Sequence, residues 1–424
     1  MGRAVLGSEL TLTVEQLTYG VDALARHDQQ VVFVPYGAPG DRVLARVIEA
    51  RRDYQRAELM RVQVAGPDRV LPGCGYFPRC GGCQWQHVAP AAQRVAKQAL
   101  VAEQLRRVAG IETPLVLPTR SAEADWHYRA RLSFPIEGRR LGYHAAGSHR
   151  LVEVASCPLG ESVLSTHLAL LRTWVGALRV ALRRVTIAAA PGGVVLVAST
   201  VTRASRVDVS VTEQLLADHA AVRGAVLTGG GTRLTVGDPR VTVQLEHDLA
   251  LEVPADVFAQ VNPAANRLLV ATVIEWADVQ PGQRVLDLYC GAGNFTLPLA
   301  RRGAKVYGIE RDPLAGATGA DNAARLGVRD ASFHTASVRD ALLHPPWAPD
   351  LIVLDPPRAG AREAVPRLAA LRAPRMLYVA CDPATLARDV RALRTHGYEL
   401  VRVQPIDLFP QTYHIESIAE LRLT

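Results

Sequence analysis

Between residues 8 and 65 apolar and polar positions alternate in short runs, LTLTVEQL, VVFVP, RVLARVIEARR and AELMRVQV. A period of two is that of strands with one face buried. The turn signals YG, HDQQ and APGD separate the runs, and so many short strands close most simply into a small β-barrel. Over residues 89–110, APAAQRVAKQALVAEQLRRVAG shifts to helical spacing of Ala, Val and Leu and stops at Gly110. Residues 126–255 return to β character in YRARLSFPI, GGVVLVAST, RVDVSVTEQ and RVTVQLEHDLALEVP. From about residue 262 buried runs such as RVLDLY, LIVLDPP and RMLYVACDP alternate with helical segments, the pattern of a doubly wound, mainly parallel sheet. The chain therefore reads as a multidomain α/β protein. A small barrel spans 1–66, a central, mainly β domain 67–255, and a Rossmann-like domain 256–424.

Composition narrows the setting. The 424 residues are 49% hydrophobic and 21% charged, which suits a globular chain of two or three domains. The start, MGRAVLGSELTLTVEQ, has neither the basic opening nor the apolar run of a signal peptide. No run is long and apolar enough for a transmembrane helix. A cytoplasmic location without membrane contact is expected, and there cysteines serve metals or catalysis rather than disulfides. The net charge of +7 and pI of about 9.3 favour an anionic partner such as RNA or DNA. An arginine-rich composition with lysine only at Lys97 and Lys305 would arise equally from a GC-rich genome.

The chemistry concentrates in the last third. RVLDLY runs into CGAGNF, and KVYGIE ends at Glu310. Glycines at a strand's carboxyl end let a ligand approach the backbone, and an acid roughly 20 residues on can accept both ribose hydroxyls. The third glycine of dinucleotide sites is missing, so a nicotinamide cofactor fits less well than S-adenosylmethionine. Asp355 lies just beyond the run LIVL and is stiffened by two following prolines. Cys381 ends RMLYVA, and the next helix begins near Pro383. Its positive end would lower the thiol pKa and favour the nucleophilic thiolate. Ordinary buried packing is the competing reading of Cys381.

Taken in order, DLYCGAGNFTLPLA, DPPRAG, YVACDPATLARD and HIESIAEL resemble the RNA uracil-C5 methyltransferases, the 5-methyluridine enzymes of ribosomal and transfer RNA. The N-terminal barrel is similar to a TRAM domain, an OB-like RNA-binding module. The segment YGVDALARH lacks the second glycine usual there. The resemblance implies that Cys381 attacks C6 of uracil, that C5 takes a methyl group from S-adenosylmethionine, and that Glu416 removes the C5 proton before elimination. It gives Asp355 contacts to the base and the cofactor region, and Arg358 support of the enolate oxygen or a phosphate. Gln260 would touch cofactor and target uridine, and Phe258 would stack where a base has moved out. A solvated Glu416 and a core Phe258 are the bland alternatives. Tyr289, Gly291, Gly293, Asn294 and Glu310 carry over as cofactor contacts. Ser337 stands at the adenine position, where the family often has Asn or Asp.

Three of the six cysteines, Cys74, Cys80 and Cys83, lie in the loop 73–87, GCGYFPRCGGCQWQH, and Cys157 is the candidate fourth ligand. Cys290 belongs to the glycine loop. By spacing alone, four thiolates suit zinc or a cubane iron–sulfur cluster. The resemblance implies a structural [4Fe-4S] cluster and points to 23S ribosomal RNA. The alternatives are a transfer-RNA uridine-54 enzyme, a non-catalytic RNA-binding or assembly factor, and a radical iron–sulfur methylase, which would need an open iron. A monomer is expected.

Overall fold

The computed structural model describes residues 5–424; residues 1–4 of the expected barrel region lie outside the described residues. Five strands, β1 (Glu9–Leu17), β2 (Asp22–His27), β3 (Gln30–Pro35), β4 (Arg42–Ala50) and β5 (Tyr54–Val64), close a barrel in the order β1-β2-β3-β5-β4. Four of the five are the alternating runs of the sequence. The fifth, DALARH of β2, alternates only weakly. Asp28 and Gln29, both with positive φ (45° and 66°), turn it into β3, the backbone that a tight two-residue hairpin needs. Small side chains such as Ala23, Ala25, Ala45 and Ala57 fill the narrow interior.

Helix α1 (Pro90–Arg107) buries Gln93, Lys97, Val101 and Leu105, one stripe at intervals of four. Val101 and Leu105 belong to the core of the C-terminal sheet, not to the barrel. A two-residue strand, β6 (Arg120–Ser121), joins the edge of that same sheet.

The central region holds β7 (Arg131–Glu137), β8 (Arg140–His144), β9 (Leu151–Glu153), α2 (Ser162–Thr166), α3 (Leu168–Ala177), β10 (Leu182–Ala190), β11 (Gly193–Thr200), α4 (Arg206–Asp218), β12 (Val222–Gly229) and β13 (Thr232–Gly237). Its strands form one sheet in the order β13-β12-β11-β10-β7-β8-β9. RVDVSVTEQ, read as a strand, is instead the start of α4. Ser205 and Asp208 form a reciprocal capping box, and Asp208 also accepts the backbone N–H groups of Arg179 (2.6 Å) and Val180 (3.1 Å). Those anchored donors outweigh the strand preference of alternating valines.

The hairpin β14 (Arg240–Glu246) and β15 (Leu249–Pro254) packs into the C-terminal core beside α5 (Pro263–Ala277). The sheet that follows is built from β16 (Arg284–Leu288), α6 (Thr296–Arg301), β17 (Lys305–Glu310), α7 (Pro313–Arg325), β18 (Ala331–Thr335), α8 (Val338–Ala341), β19 (Leu351–Leu354), α9 (Val365–Ala370), β20 (Arg375–Ala380), α10 (Pro383–Arg394), β21 (Tyr398–Asp407) and β22 (Glu416–Leu423). Its order is β18-β17-β16-β19-β20-β22-β21-β6, parallel from β18 to β20, with β22 antiparallel to both its neighbours. Among the described residues no helix is long and apolar enough to cross a membrane.

Candidate active site

The order of the parallel strands opens a crevice at their carboxyl ends, the usual ligand position of an open α/β sheet. After β16 the backbone takes positive φ at Tyr289 (63°), Gly291 (54°) and Gly293 (98°). At Gly293 an added Cβ would also lie 3.0 Å from Phe333 and 3.1 Å from Leu297, so only glycine fits. Glu310, ending β17, accepts the Gly291 N–H at 2.9 Å through one carboxylate oxygen and the Asp312 N–H at 2.7 Å through the other. It thus ties the loop to the next strand. Asn294 pairs its amide reciprocally with Asn266 of α5 (2.9 and 3.1 Å). Ser337 caps α8, accepting the Asp340 N–H at 3.1 Å. Gln260 is half-buried in the segment leading to α5.

The reacting groups meet because of strand register. In the antiparallel ladder of β20 and β22, Ala380 pairs with Ser417. One residue beyond that pair come Cys381, just past the end of β20, and Glu416, which opens β22. Leu354, the last residue of β19, pairs with Tyr378 of β20 and places Asp355 alongside. Glu416 is 2% exposed, which removes the solvated reading, and one of its carboxylate oxygens has no hydrogen-bond partner. Phe258 is 71% exposed, which removes the core reading.

Electrostatics correct one expectation. The Cys381 thiol is not depressed; burial, then Glu416 and Asp355, push it up to about 11, while Arg358 pulls it down. A helix start of one turn does not offset burial beside two acids. Burial raises Asp355 to about 7, and burial together with Asp355 raises Glu416 well above the carboxylate range. Asp287, buried at the end of β16 and hydrogen-bonded by Thr296 at 2.5 Å, is likewise pushed up to about 7 by burial.

Several supporting residues escaped the sequence reading. Asp389 of α10 accepts the Ala361 N–H (2.7 Å) and the Tyr378 hydroxyl (2.8 Å), while Arg388 donates to the Ala359 carbonyl (2.8 Å). Together they brace the loop that carries Asp355 and Arg358. Their signal was present, since both belong to the quoted YVACDPATLARD. Arg358 donates to the His414 ring at 3.2 Å, a pairing across 56 residues that no local pattern announces.

Cys74, Cys80, Cys83 and Cys157 all line one pocket, walled by Tyr76, Tyr143 and Arg129. All four are free thiols. Burial pushes Cys80 up to about 11 and Cys83 up to about 12. Among the described residues, no three His, Cys, Asp or Glu side chains meet as a preformed group able to hold a metal ion.

A glycine turn after the first strand of a doubly wound sheet, an acid ending the second and an acid after the fourth define an enzyme of the nucleoside-cofactor class. The TRAM domain model matches residues 3–60, and the model described as tRNA (Uracil-5-)-methyltransferase matches 232–323 and 340–422. A Shewanella woodyi protein named 23S rRNA (uracil(1939)-C(5))-methyltransferase RlmD is 34% identical over 99% of this chain and 97% of its own length. A Pectobacterium carotovorum protein of the same name is 35% identical over 98% of this chain and 94% of its own. The solved Pyrococcus abyssi tRNA (uracil-54, C5)-methyltransferase, in complex with S-adenosyl-L-homocysteine, shares the fold, with TM-score 0.73 at 21% identity over 97% of this chain and all of that one. The chain belongs to the RNA uracil-C5 methyltransferase family and is an S-adenosylmethionine-dependent enzyme.

Proposed function

We propose that this enzyme methylates C5 of a uridine in 23S ribosomal RNA, acting as a cytoplasmic monomer, with Cys381 as nucleophile and Glu416 as the base. The observation that carries the mechanism is that Cys381, just past the Ala380–Ser417 pair, lies close enough to Glu416 and Asp355 for both to raise its thiol pKa. The ribosomal substrate follows the names of the full-length relatives. The transfer-RNA alternative has behind it the description of the family model over the C-terminal domain and a solved relative of 21% identity, which carries the fold alone.

With burial pushing the thiol up to about 11 in the free enzyme, its proton is released to solvent as the substrate docks, and Arg358 is the cation that favours the thiolate. Sulfur adds to C6 and the ring electrons move to C5, which takes the methyl group from the donor sulfonium. Glu416, in its ionised form, then removes the C5 proton. Burial and Asp355 favour its protonated form in the free enzyme, so it must first give up its own proton to solvent, helped by Arg358. It is then a stronger base than an ordinary carboxylate. The C6–S bond breaks and restores the aromatic ring and the thiolate. Gln260, Tyr289, Gly291, Gly293, Asn294, Glu310 and Ser337 are assigned to the cofactor side. Glu310 and Asn294 act there largely by shaping the loop, since their side chains are already engaged. Phe258, exposed at the entry, is assigned to stacking on displaced RNA.

The four-cysteine pocket is assigned to a [4Fe-4S] cluster, with zinc as the alternative. Tetrahedral zinc at about 2.3 Å would draw its sulfurs to within about 3.8 Å of one another. Four thiols lining one pocket are the donor set either group takes, and the resemblance to the cluster-bearing ribosomal branch is what favours the cubane. The cluster's contribution is to join the loop 73–87 to the central sheet.

Incubation with 5-fluorouridine 23S RNA and methyl donor tests the reading. The fluorine cannot leave as a proton, so wild type is expected to trap a covalent adduct on denaturing electrophoresis and Cys381→Ala none. Binding without any adduct would favour a non-catalytic RNA-binding role. Anaerobically purified protein is expected to be brown with absorption near ~400 nm; colourless protein with stoichiometric zinc would refute the cluster.

A further inference from the structure

We propose that Tyr19, at the β1–β2 tip of the barrel, is a positioning residue for Cys381, so that the barrel completes the catalytic centre as well as gripping RNA. The inference rests on the reading of Cys381 as nucleophile.

The Tyr19 hydroxyl donates to the Cys381 carbonyl at 3.3 Å, across 362 residues of chain. That carbonyl stands where β20 has ended and α10 has not begun, in the peptide from which the reacting sulfur projects. The tip is held there from behind. The buried Trp85 indole donates to the Gly20 carbonyl at 3.0 Å, and the Trp85 N–H donates to the Gln411 carbonyl at 3.0 Å. One residue, through its indole and its backbone N–H, thus fixes the barrel tip against the loop that leads to Glu416. The Tyr19 ring meets Tyr413 edge-on at 5.1 Å, Tyr413 lies 4.4 Å from His414, and His414 accepts from Arg358. Through these contacts Tyr19 borders both the peptide of the nucleophile and the cation that favours its thiolate. Burial, then Asp382, raise the phenol pKa well above its ordinary value, so the hydroxyl stays a donor at working pH. Small displacements of a reacting atom are costly, so freeing this peptide slows attack even with RNA fully bound.

The test compares wild type, Tyr19→Phe, Tyr19→Ala and Cys381→Ala, measuring the rate of 5-fluorouridine RNA adduct formation at saturating RNA and methyl donor, together with RNA affinity. A 3.3 Å hydroxyl bond lies at the long end of its range, so Tyr19→Phe is expected to slow the adduct about 2- to 5-fold. Tyr19→Ala, which also loses the aromatic contact, is expected to slow it at least about fivefold, with Phe restoring part of the loss. RNA affinity is expected to stay within about twofold of wild type, as the hydroxyl bond is spent on the protein's own backbone. Unchanged adduct rates in both Tyr19 variants, or a loss confined to RNA affinity, would overturn the proposal. Should Tyr19→Ala fail to fold, Tyr19→Phe alone decides. Product from Cys381→Ala would instead refute the assignment of the nucleophile, whatever Tyr19 does.

Discussion

Lys97 and Asp407 form a test of how α1 is fastened to the catalytic sheet. The Lys97 ammonium donates to Asp407 at 2.6 Å and to the Phe409 carbonyl at 3.1 Å, with the two side chains 0% and 1% exposed. Burial presses the Lys97 pKa down and Asp407 pulls it back. Lys97→Met keeps most of the volume but leaves a buried carboxylate without its cation, which costs about 3–5 kcal/mol. In a cooperative unit of roughly 150–250 residues each kcal/mol moves Tm by about 2–4 °C, so a fall of about 6–20 °C is expected. Adding Asp407→Asn removes the stranded charge and leaves a neutral amide, whose unmet hydrogen bonds cost about 1–3 kcal/mol. The double variant should therefore regain about 2 kcal/mol over Lys97→Met, the difference between the middles of the two ranges. Thermal and urea unfolding of the four proteins measures this coupling. Additive losses in the double variant would refute the reasoning, because they would mean that no charged pair exists in the fold.

Three further outcomes follow from the same geometry. Asp41 accepts the N–H groups of Ala38 (2.7 Å) and Gly66 (2.8 Å) and pairs with Arg69; burial opposes its ionisation, but these donors win and hold its pKa below the usual range. Its contribution is therefore full above about pH 4, the unfolded value, and is lost as pH falls through the lower folded value. Asp41→Asn should cost about 1.5–3 kcal/mol at pH 7, a gap that closes towards pH 2 in urea melts. Alkylation of Cys381, followed by peptide mass spectrometry, should titrate near 11 in wild type, lower in Glu416→Gln and higher in Arg358→Ala; a midpoint near an ordinary thiol's in all three would contradict the site. Gly293→Ala, strained at φ 98° and crowded by Phe333, should lose about 1–3 kcal/mol of stability and weaken S-adenosylmethionine binding by calorimetry.

What the sequence made legible was whatever repeats on a short period or sits at a strand end. Alternation gave the barrel, and the glycine turn and Glu310 stand at the carboxyl ends of neighbouring strands, joined by the Gly291 N–H. Asp355 and Cys381 stand where their strands stop, as read. RVDVSVTEQ misled because its valines alternate and drew attention from the capping pair Ser205 and Asp208 that opens the helix; the further donors to Asp208 at Arg179 and Val180 lie outside any local window. The thiol pKa was misjudged for a related reason. A helix start is visible in sequence, but the two acids that outweigh it come from other strands. Tyr19 and His414 were illegible because their roles exist only once segments hundreds or tens of residues apart are docked.

Helix α1 has a consequence for how the protein is made. Its buried lysine finds its carboxylate 310 residues later, and at a synthesis rate of about 5–20 residues per second that partner arrives roughly 15–60 s after it. The barrel, closed by strands within one short stretch, can fold while the rest is still on the ribosome. The helix must wait, its cation in water and its apolar stripe uncovered, until the last strands emerge. The N-terminal part of the chain is thus the first to appear and, through α1 and β6, among the last to find its place.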